Sequence, residues 1–406
     1  MIKNNKIVND PVYGFLTIPS DLIFELIQHP FFQRLRRIKQ LGMTDYVYPG
    51  ATHSRFHHAL GALQLMTKAV FTLRDKGVKI TDAEAEALYI GILLHDIGHG
   101  PYSHTLEHTL VRNVSHEYIS LKMMHELNIE FKGKLDLAIK IFQNQYKKAF
   151  CYQLISGQLD MDRLDYLSRD SFFTGVTEGV VGSERIINML NVVNDELVVE
   201  EKGIYSIEKF IIARRLMYWQ VYLHKTVVAT DIVLTNIIKR AAEVSKQGVK
   251  LFATPALEWF LENEVTKKTF EEQPLALKNF ASLDDSDIFS AIKAWQICDD
   301  KVLRILCKNL VERHLPKIMV SSKPFEESLV IEKQNLICQK HKLKSVEAPY
   351  FASQNLIKND AYKDESTRIN ILMKDGTIKD VTEASDNYNL KALKQTVKKY
   401  YLSYYP

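Results

Sequence analysis

Nine of the 13 histidines lie between His53 and His125: His53, His57, His58, His95, His99, His104, His108, His116 and His125. An even spread over 406 residues would place about two there. Imidazole is the commonest metal ligand and titrates near neutrality, so this density points to metal or acid–base chemistry. Two segments carry much of it, HSRFHHALG (His53–Gly61) and LLHDIGHGPYSH (Leu93–His104). A third, QLDMDRLDYLSRD (Gln158–Asp170), brings carboxylates and arginines.

In the second segment His95 and Asp96 stand side by side at the end of an apolar run, and His99 follows about one helical turn later. An imidazole and a carboxylate can share one divalent metal there. A catalytic site needs three or four protein ligands and an open position. His57 or His58 can add an imidazole, and Asp160, Asp162 or Asp165 a carboxylate. Such a mixed set suits Fe, Mn, Zn, Ni or Co better than Mg or Ca. Gly98 and Gly100 leave the backbone free to bend close to a ligand. An HD dipeptide alone carries no information, and His108 and His125 read as structural or surface residues. The joint pattern carries the argument, because core packing does not require GHGPYSH beside HD.

Helices must position these groups. Apolar spacing of three and four predicts helices over Asp21–Gln28 with Ser20 as cap, Phe32–Leu41, Arg55–Arg74, and from an Asp82 cap through Asp96. Further helices are predicted over Ser103–Arg112, Ser115–Leu127, Lys134–Tyr146, Asp162–Ser171, about Glu208–Ser245, Pro255–Asn263 and Asp284–Asn309. Glu196–Glu208 reads as a β-hairpin turning at Lys202-Gly203. After Pro316, SLVIEK and LKSVEA read as short strands, Arg368–Thr382 as a hairpin around Asp375-Gly376, and LKALKQTVKKYYLSYY as a closing helix. The expected fold is mainly α, with a helical core over 1–315, a small β-hairpin within it, and an α+β C-terminal lobe over 316–406.

Composition narrows the class. Hydrophobic residues make up 46% and charged residues 25%, ordinary globular values that exclude a collagen or a disordered tail. Four scattered cysteines form no CxxC pair and argue against a disulfide framework. The start, MIKNNKIVND, has no apolar h-region, and no apolar run approaches a membrane span, so a cytoplasmic address without membrane contact is expected. The net charge of +4 is uneven: residues 301–406 hold 19 Lys+Arg against 12 Asp+Glu.

Taken in order, NDPVYGFLTIP, FQRLRRIKQLG, YPGATHSRFHHALG, LLHDIGHGPYSH and DMDRLDYLSRD resemble the HD-domain phosphohydrolases. More narrowly they resemble the deoxynucleoside-triphosphate triphosphohydrolase branch, which includes the vertebrate SAM-and-HD-domain dNTP hydrolase; no SAM domain is expected here. The fit covers roughly residues 6–240. It implies four metal ligands, His58, His95, Asp96 and Asp162, for one divalent transition metal, with Mg accompanying the nucleotide as an option. It implies His99, His104 and His116 on the phosphate side, and Gln40 and Leu41 beside the sugar. Arg55, Arg163, Tyr166, Asp170, Arg214 and Tyr222 would contact substrate, and Lys6, Asn9, Gln33 and Arg36 match a nucleotide activator site. The reaction implied is cleavage between the α-phosphate and the nucleoside 5′-oxygen, giving nucleoside and triphosphate. Assembly as a dimer or tetramer is implied as well.

The chemistry of the residues is consistent with those roles. A metal lowers the pKa of bound water, and guanidinium groups match phosphate oxygens. His116, with Glu107 nine residues before it, is the candidate general acid, and His104 can neutralise charge on the attacked phosphorus. Three departures stand out: Glu107 where the branch has Asp, Leu223 where the vertebrate enzyme has Gln near the base, and Gln28 in place of an Asp that reads guanine. Two other readings compete. One is an HD phosphohydrolase of other nucleotides or phosphate esters. The other, from the basic C-terminal end, is a nucleic-acid-binding or regulatory protein with a nucleotide-sensing HD site.

Overall fold

The computed structural model describes residues 6–359, 368–387, 390 and 397–406. The protein is mainly helical. At its centre lies the Asp82–Leu94 helix, whose buried positions run from Ala85 through Leu94 almost without a break. A helix apolar on all sides must be surrounded, and the Arg55–Asp75 and Asp136–Phe142 helices pack on it. Its N-terminus is a capping box, with Thr81 as cap rather than Asp82: Glu84 N–H donates to Thr81 Oγ1 at 3.2 Å and Thr81 N–H donates to Glu84 Oε2 at 2.8 Å.

The Arg55–Asp75 helix also lies along the Met161–Thr174 helix, and Gly61 makes this approach possible. A Cβ at Gly61 would stand 2.0 Å from Asp165 Oδ1 and 2.1 Å from Arg169 Nη2. The Met161–Thr174 helix is capped by Asp160, which accepts from Arg163 N–H at 2.7 Å, and it stops at Gly175 in the left-handed region (φ 74).

Among the described residues three small sheets decorate the helices. Strands β1 (Ile7–Asp10) and β2 (Gly14–Thr17) form an N-terminal hairpin. Strands β3 (Leu190–Val193) and β4 (Glu196–Glu200) form a second, which turns at Asn194-Asp195, both with positive φ. Late in the chain come β5 (Lys317–Ser321), β6 (Ala352–Asn359), β7 (Asn370–Leu372), β8 (Ile378–Asp380) and β9 (Val397–Tyr404). The order is β3-β4-β7-β8 in one sheet, with β4 and β7 parallel, and β5-β9-β6 in the other.

Several local expectations change. Phe32–Leu41 is not one helix: Pro30–Gln33 is α-helical, Arg34–Arg37 is 3-10, and Lys39 bridges to Ser54. Ser103–Arg112 and Lys134–Tyr146 hold shorter helices, Glu107–Leu110 and Asp136–Phe142. The Glu196–Glu208 hairpin is displaced. Glu196–Glu200 is its second strand, and a helix starts at Ile204. The long helix expected to Ser245 breaks at Leu223–His224 into Ile204–Met217, a π turn over Tyr218–Tyr222, and Lys225–Lys246, the two arms meeting at 57°. His224 caps the second arm by accepting from Thr226 N–H at 3.2 Å. Asp284–Asn309 divides into Asp285–Trp295 and Lys301–Val311, the latter capped by Asp300.

In the C-terminal region, SLVIEK lies in the Glu327–His341 helix and LKSVEA leads into a 3-10 turn, so neither is a strand. The hairpin at Asp375-Gly376 is present as β7 and β8. The expected closing helix is instead a strand over Val397–Tyr404, while 391–396 lie outside the described residues. Among the described residues no single helix is long and apolar enough to cross a membrane.

Candidate active site

Three helices bring the first ligand group together. His58 sits in the first turn of the Arg55–Asp75 helix, His95 and Asp96 follow the end of the Asp82–Leu94 helix, and Asp162 starts the Met161–Thr174 helix. His58 Nε2 lies 3.1 Å from Asp162 Oδ1 and 3.6 Å from Asp96 Oδ2. His95 Nε2 lies 3.4 Å from Asp96 Oδ1 and 3.6 Å from Asp162 Oδ1. Both Nε2 atoms are buried and lack a hydrogen-bond partner. Buried polar atoms are normally satisfied. Two imidazole nitrogens facing two carboxylates at these distances therefore fit a divalent cation. The mixed nitrogen–oxygen donors fit a transition metal.

The opposite ring nitrogens are occupied, as ligating histidines require. His95 Nδ1 lies 2.6 Å from the Ile92 carbonyl, and His58 Nδ1 lies 2.8 Å from Asp165 Oδ2. Burial by itself would lower the His58 pKa, but the carboxylates of Asp162 and Asp165 on its two sides push it up to about 10. His57, one residue earlier, is exposed and takes a capping role, accepting from Ser54 N–H at 3.2 Å. Of the three candidate carboxylates, Asp160 caps its helix and pairs with Arg163, and Asp165 backs His58, which leaves Asp162 in the centre.

A second histidine group adjoins the first. His99 Nε2 lies 3.4 Å from Asp96 Oδ1, and its ring stacks on His116 with centroids 3.8 Å apart. Glu107 joins His116 and His104: its Oε1 lies 2.7 Å from His116 Nδ1 and its Oε2 2.9 Å from His104 Nδ1. Burial opposes charge on His116, yet the Glu107 bond raises its pKa, whereas burial with Arg55 and His116 nearby holds His99 well below its ordinary value. Tyr102 and Ser103, just before His104, both adopt left-handed backbone (φ 54), a conformation that non-glycine residues hold only when their surroundings enforce it. Here Asp285 accepts from Tyr102 N–H at 2.7 Å, and Ser103 Oγ accepts from Arg55 Nε at 2.8 Å.

These groups open on a cavity of about 490 Å³. Its walls include Gln40, Leu41, Arg55, His95, Asp96, His99, His104, His116, Asp162, Arg163, Tyr166, Asp170, Arg214 and Tyr222. His58 and Glu107 do not line it but contact residues that do, His58 through Asp162 and Glu107 through His104 and His116. The Nε atoms of Arg163 and Arg214 are buried without a partner, and guanidinium groups on a cavity wall suit phosphate oxygens. Arg214 Nη1 also donates to Gln158 at 2.7 Å. Tyr222 donates to Asp170 Oδ2 at 2.7 Å, and His53 Nε2 lies 2.8 Å from Asp170 Oδ1.

Lys6, Asn9, Gln33 and Arg36 are not on this cavity. Lys6 Nζ stands over the Phe24 ring, Arg36 stacks on Phe56, and Arg36 Nε donates to Gln33 Oε1 at 2.9 Å. Gly98 and Gly100 serve packing rather than ligand approach: a Cβ at Gly98 would stand 2.3 Å from the His116 carbonyl, and one at Gly100 3.2 Å from Phe280. Leu223 is not on the cavity, and its carbonyl accepts from Tyr401.

Cavity residues absent from the sequence reading include Tyr102, Phe142, Tyr152, Tyr218 and Asp231. Tyr218, one turn before Tyr222, was reachable by spacing. Tyr102 stands inside GHGPYSH, Phe142 and Tyr152 stand on short helices, and Asp231 has no local motif around it. Asp231 accepts from Thr105 Oγ1 at 2.8 Å, and burial pushes its carboxyl up to about 6.

Comparison with known proteins agrees with this geometry. Residues 55–170 match the HD domain, and residues 181–253 match the HD associated region. A phosphohydrolase from Bacteroides thetaiotaomicron, known from its crystal structure, superposes with a TM-score of 0.96 at 53% identity over 98% of this chain and 99% of that one. The uncharacterized protein YwfO of Bacillus subtilis is 31% identical over 95% of this chain and 88% of its own length. The human deoxynucleoside triphosphate triphosphohydrolase SAMHD1 is 28% identical over 61% of this chain, which spans about half of that longer protein (47%).

Proposed function

The chain belongs to the HD-domain phosphohydrolases, and on that premise we propose that it hydrolyses deoxynucleoside triphosphates to deoxynucleoside and triphosphate. The observation that carries this reading is the pairing of two orphan imidazole nitrogens and two carboxylates with a cavity wall of three arginines. That arrangement suits a polyanion at a metal centre. The similarity to human SAMHD1, whose name states such an activity, supports a nucleoside triphosphate as that polyanion.

His58, His95, Asp96 and Asp162 would hold the cation, which supplies Lewis acidity to water and phosphate oxygen. Arg163 and Arg214, both on the cavity wall, bind phosphate oxygens in this reading. Arg55 keeps Asp96 and the Ser103 turn in place. Water attacks the α-phosphorus, the bond from phosphorus to the 5′-oxygen breaks, and that oxygen needs a proton to leave. His116, whose pKa the Glu107 bond raises, is the donor in this reading, while His104 faces the charge on phosphorus.

Product analysis over a panel of nucleotides tests the proposal. Inorganic triphosphate and deoxynucleoside from dNTPs are expected. Orthophosphate from monophosphates, with dNTPs left intact, would replace it with the broader phosphomonoesterase reading.

A further inference from the structure

Tyr218–Tyr222 is the only π-helical turn among the described residues. Leu223 N–H donates to the Tyr218 carbonyl at 2.7 Å, the i to i+5 bond of such a turn. An inserted residue of this kind costs helix regularity and recurs where a helix wall meets a site. Here Tyr218 and Tyr222 both line the substrate cavity, with ring centroids 5.2 Å apart, while Trp219 between them does not.

The back of the turn is held by other elements. Tyr48 donates its hydroxyl to the Gln220 carbonyl at 2.6 Å. Lys399 Nζ stands 3.7 Å from the centroid of the Trp219 ring, and Tyr401 Oη donates to the Leu223 carbonyl at 3.4 Å. Lys399 and Tyr401 alternate along β9 and so share one face. That strand is the middle one of its sheet, paired on one side through Lys317–Ser321 and on the other through Ala352–Asn359. Tyr401 is 3% exposed. A strand bonded on both edges cannot slide without breaking a ladder, which makes it a firm backing for an irregular turn.

We propose that β9 is a positioning element of the active-site wall: Lys399 and Tyr401 hold the π turn in the register that presents Tyr218 and Tyr222 to substrate. The clamp rests on geometry alone; its kinetic consequence rests on the nucleotide reading above. The strand thus ties the C-terminal region to substrate affinity rather than to the chemical step.

The test uses the full chain with Lys399→Met and Tyr401→Phe together, and Tyr401→Phe alone, which keeps the ring and its packing. Hydrogen exchange over 218–224 is expected to speed up about tenfold in the double variant. KM for dNTPs is expected to rise about three- to tenfold with kcat within about twofold and metal content unchanged. Tyr401→Phe shifts both in the same direction by less. Lys398→Met, an exposed neighbour on the same strand, changes neither. Unchanged exchange in the double variant overturns the clamp. Faster exchange with unchanged KM overturns its role in placing substrate. A wild-type protein inert toward every dNTP defeats the nucleotide reading instead, and the exchange result still decides the clamp.

Discussion

Asp165 Oδ2 lies 2.8 Å from His58 Nδ1, and the same carboxylate is gripped by Arg169 through Nε at 2.9 Å and Nη2 at 3.0 Å. Arg169 in turn reaches Asp10 at the end of β1 with Nη1 at 2.8 Å. All four side chains are buried. The relay fixes the His58 ring so that Nε2 points at Asp96 and Asp162, and a carboxylate behind a ligating imidazole raises its basicity.

Asp165→Asn therefore should weaken metal binding without touching a ligand. The amide keeps the shape but offers Arg169 no charge and His58 a weaker partner. Metal affinity is expected to fall about 10- to 100-fold, read by metal analysis after dialysis against graded chelator. Full occupancy at wild-type chelator concentrations would show that the relay is structural only.

Glu107→Gln tests the proposed acid, His116. His116 carries its proton below its raised pKa and loses it above. Without the carboxylate that pKa drops, so the protonated form is lost at lower pH and the alkaline limb of the kcat profile moves to lower pH. The rate is expected to fall about 10²- to 10⁴-fold at neutral pH. A pH profile of unchanged shape, merely scaled, would assign the proton to another group.

Most of the site was legible because its residues cluster in short motifs: the HD pair, GHGPYSH and DMDRLD each place neighbours in one turn of backbone. The choice between His57 and His58 did not follow from spacing, since adjacent helix positions differ by about 100° and either could face inward. The hydrogen bond of His57 to Ser54 shows why it is not the inward one. Asp231 stands on the Lys225–Lys246 helix beyond the break at Leu223–His224, and no local motif marks it. In the C-terminal region local pattern misled. Val330 and Ile331 suggest a strand but lie on a helix, and KKYYLSYY suggests a helix but fills the gap between β5 and β6. Pairing partners tens of residues away decide that outcome, not propensity.

The Asp82–Leu94 helix has an acid-sensitive start. Glu84 accepts from Thr81 N–H, Tyr146 Oη at 2.5 Å and Lys148 Nζ at 2.9 Å. Burial would raise its pKa, but these bonds from Lys148, Tyr146 and Thr81 bring it from 4.5 down to about 2. A depressed carboxyl contributes stability fully above its unfolded pKa, and loses it as pH falls through the folded one. Wild-type stability should thus decline between about pH 4.5 and pH 2, and Glu84→Gln should cost about 2–3 kcal/mol at neutral pH while flattening part of that decline. Urea unfolding at several pH values measures both.

Gly61→Ala tests the helix contact that carries the relay. The new methyl would meet Asp165 Oδ1 and Arg169 Nη2 at about 2 Å, and neither can swing aside cheaply, because both belong to a buried ion pair. Either the Arg55–Asp75 and Met161–Thr174 helices separate or the relay breaks. Both routes destabilise, by about 2–4 kcal/mol, and both move His58 relative to Asp162. The variant should lose thermal stability and metal affinity together, whereas Asp165→Asn loses mainly affinity. A Gly61→Ala protein with lowered melting temperature but wild-type metal affinity would mean that His58 is positioned by its own helix turn and not by the contact behind it. Calorimetric unfolding alongside metal titration of the same sample separates the two outcomes.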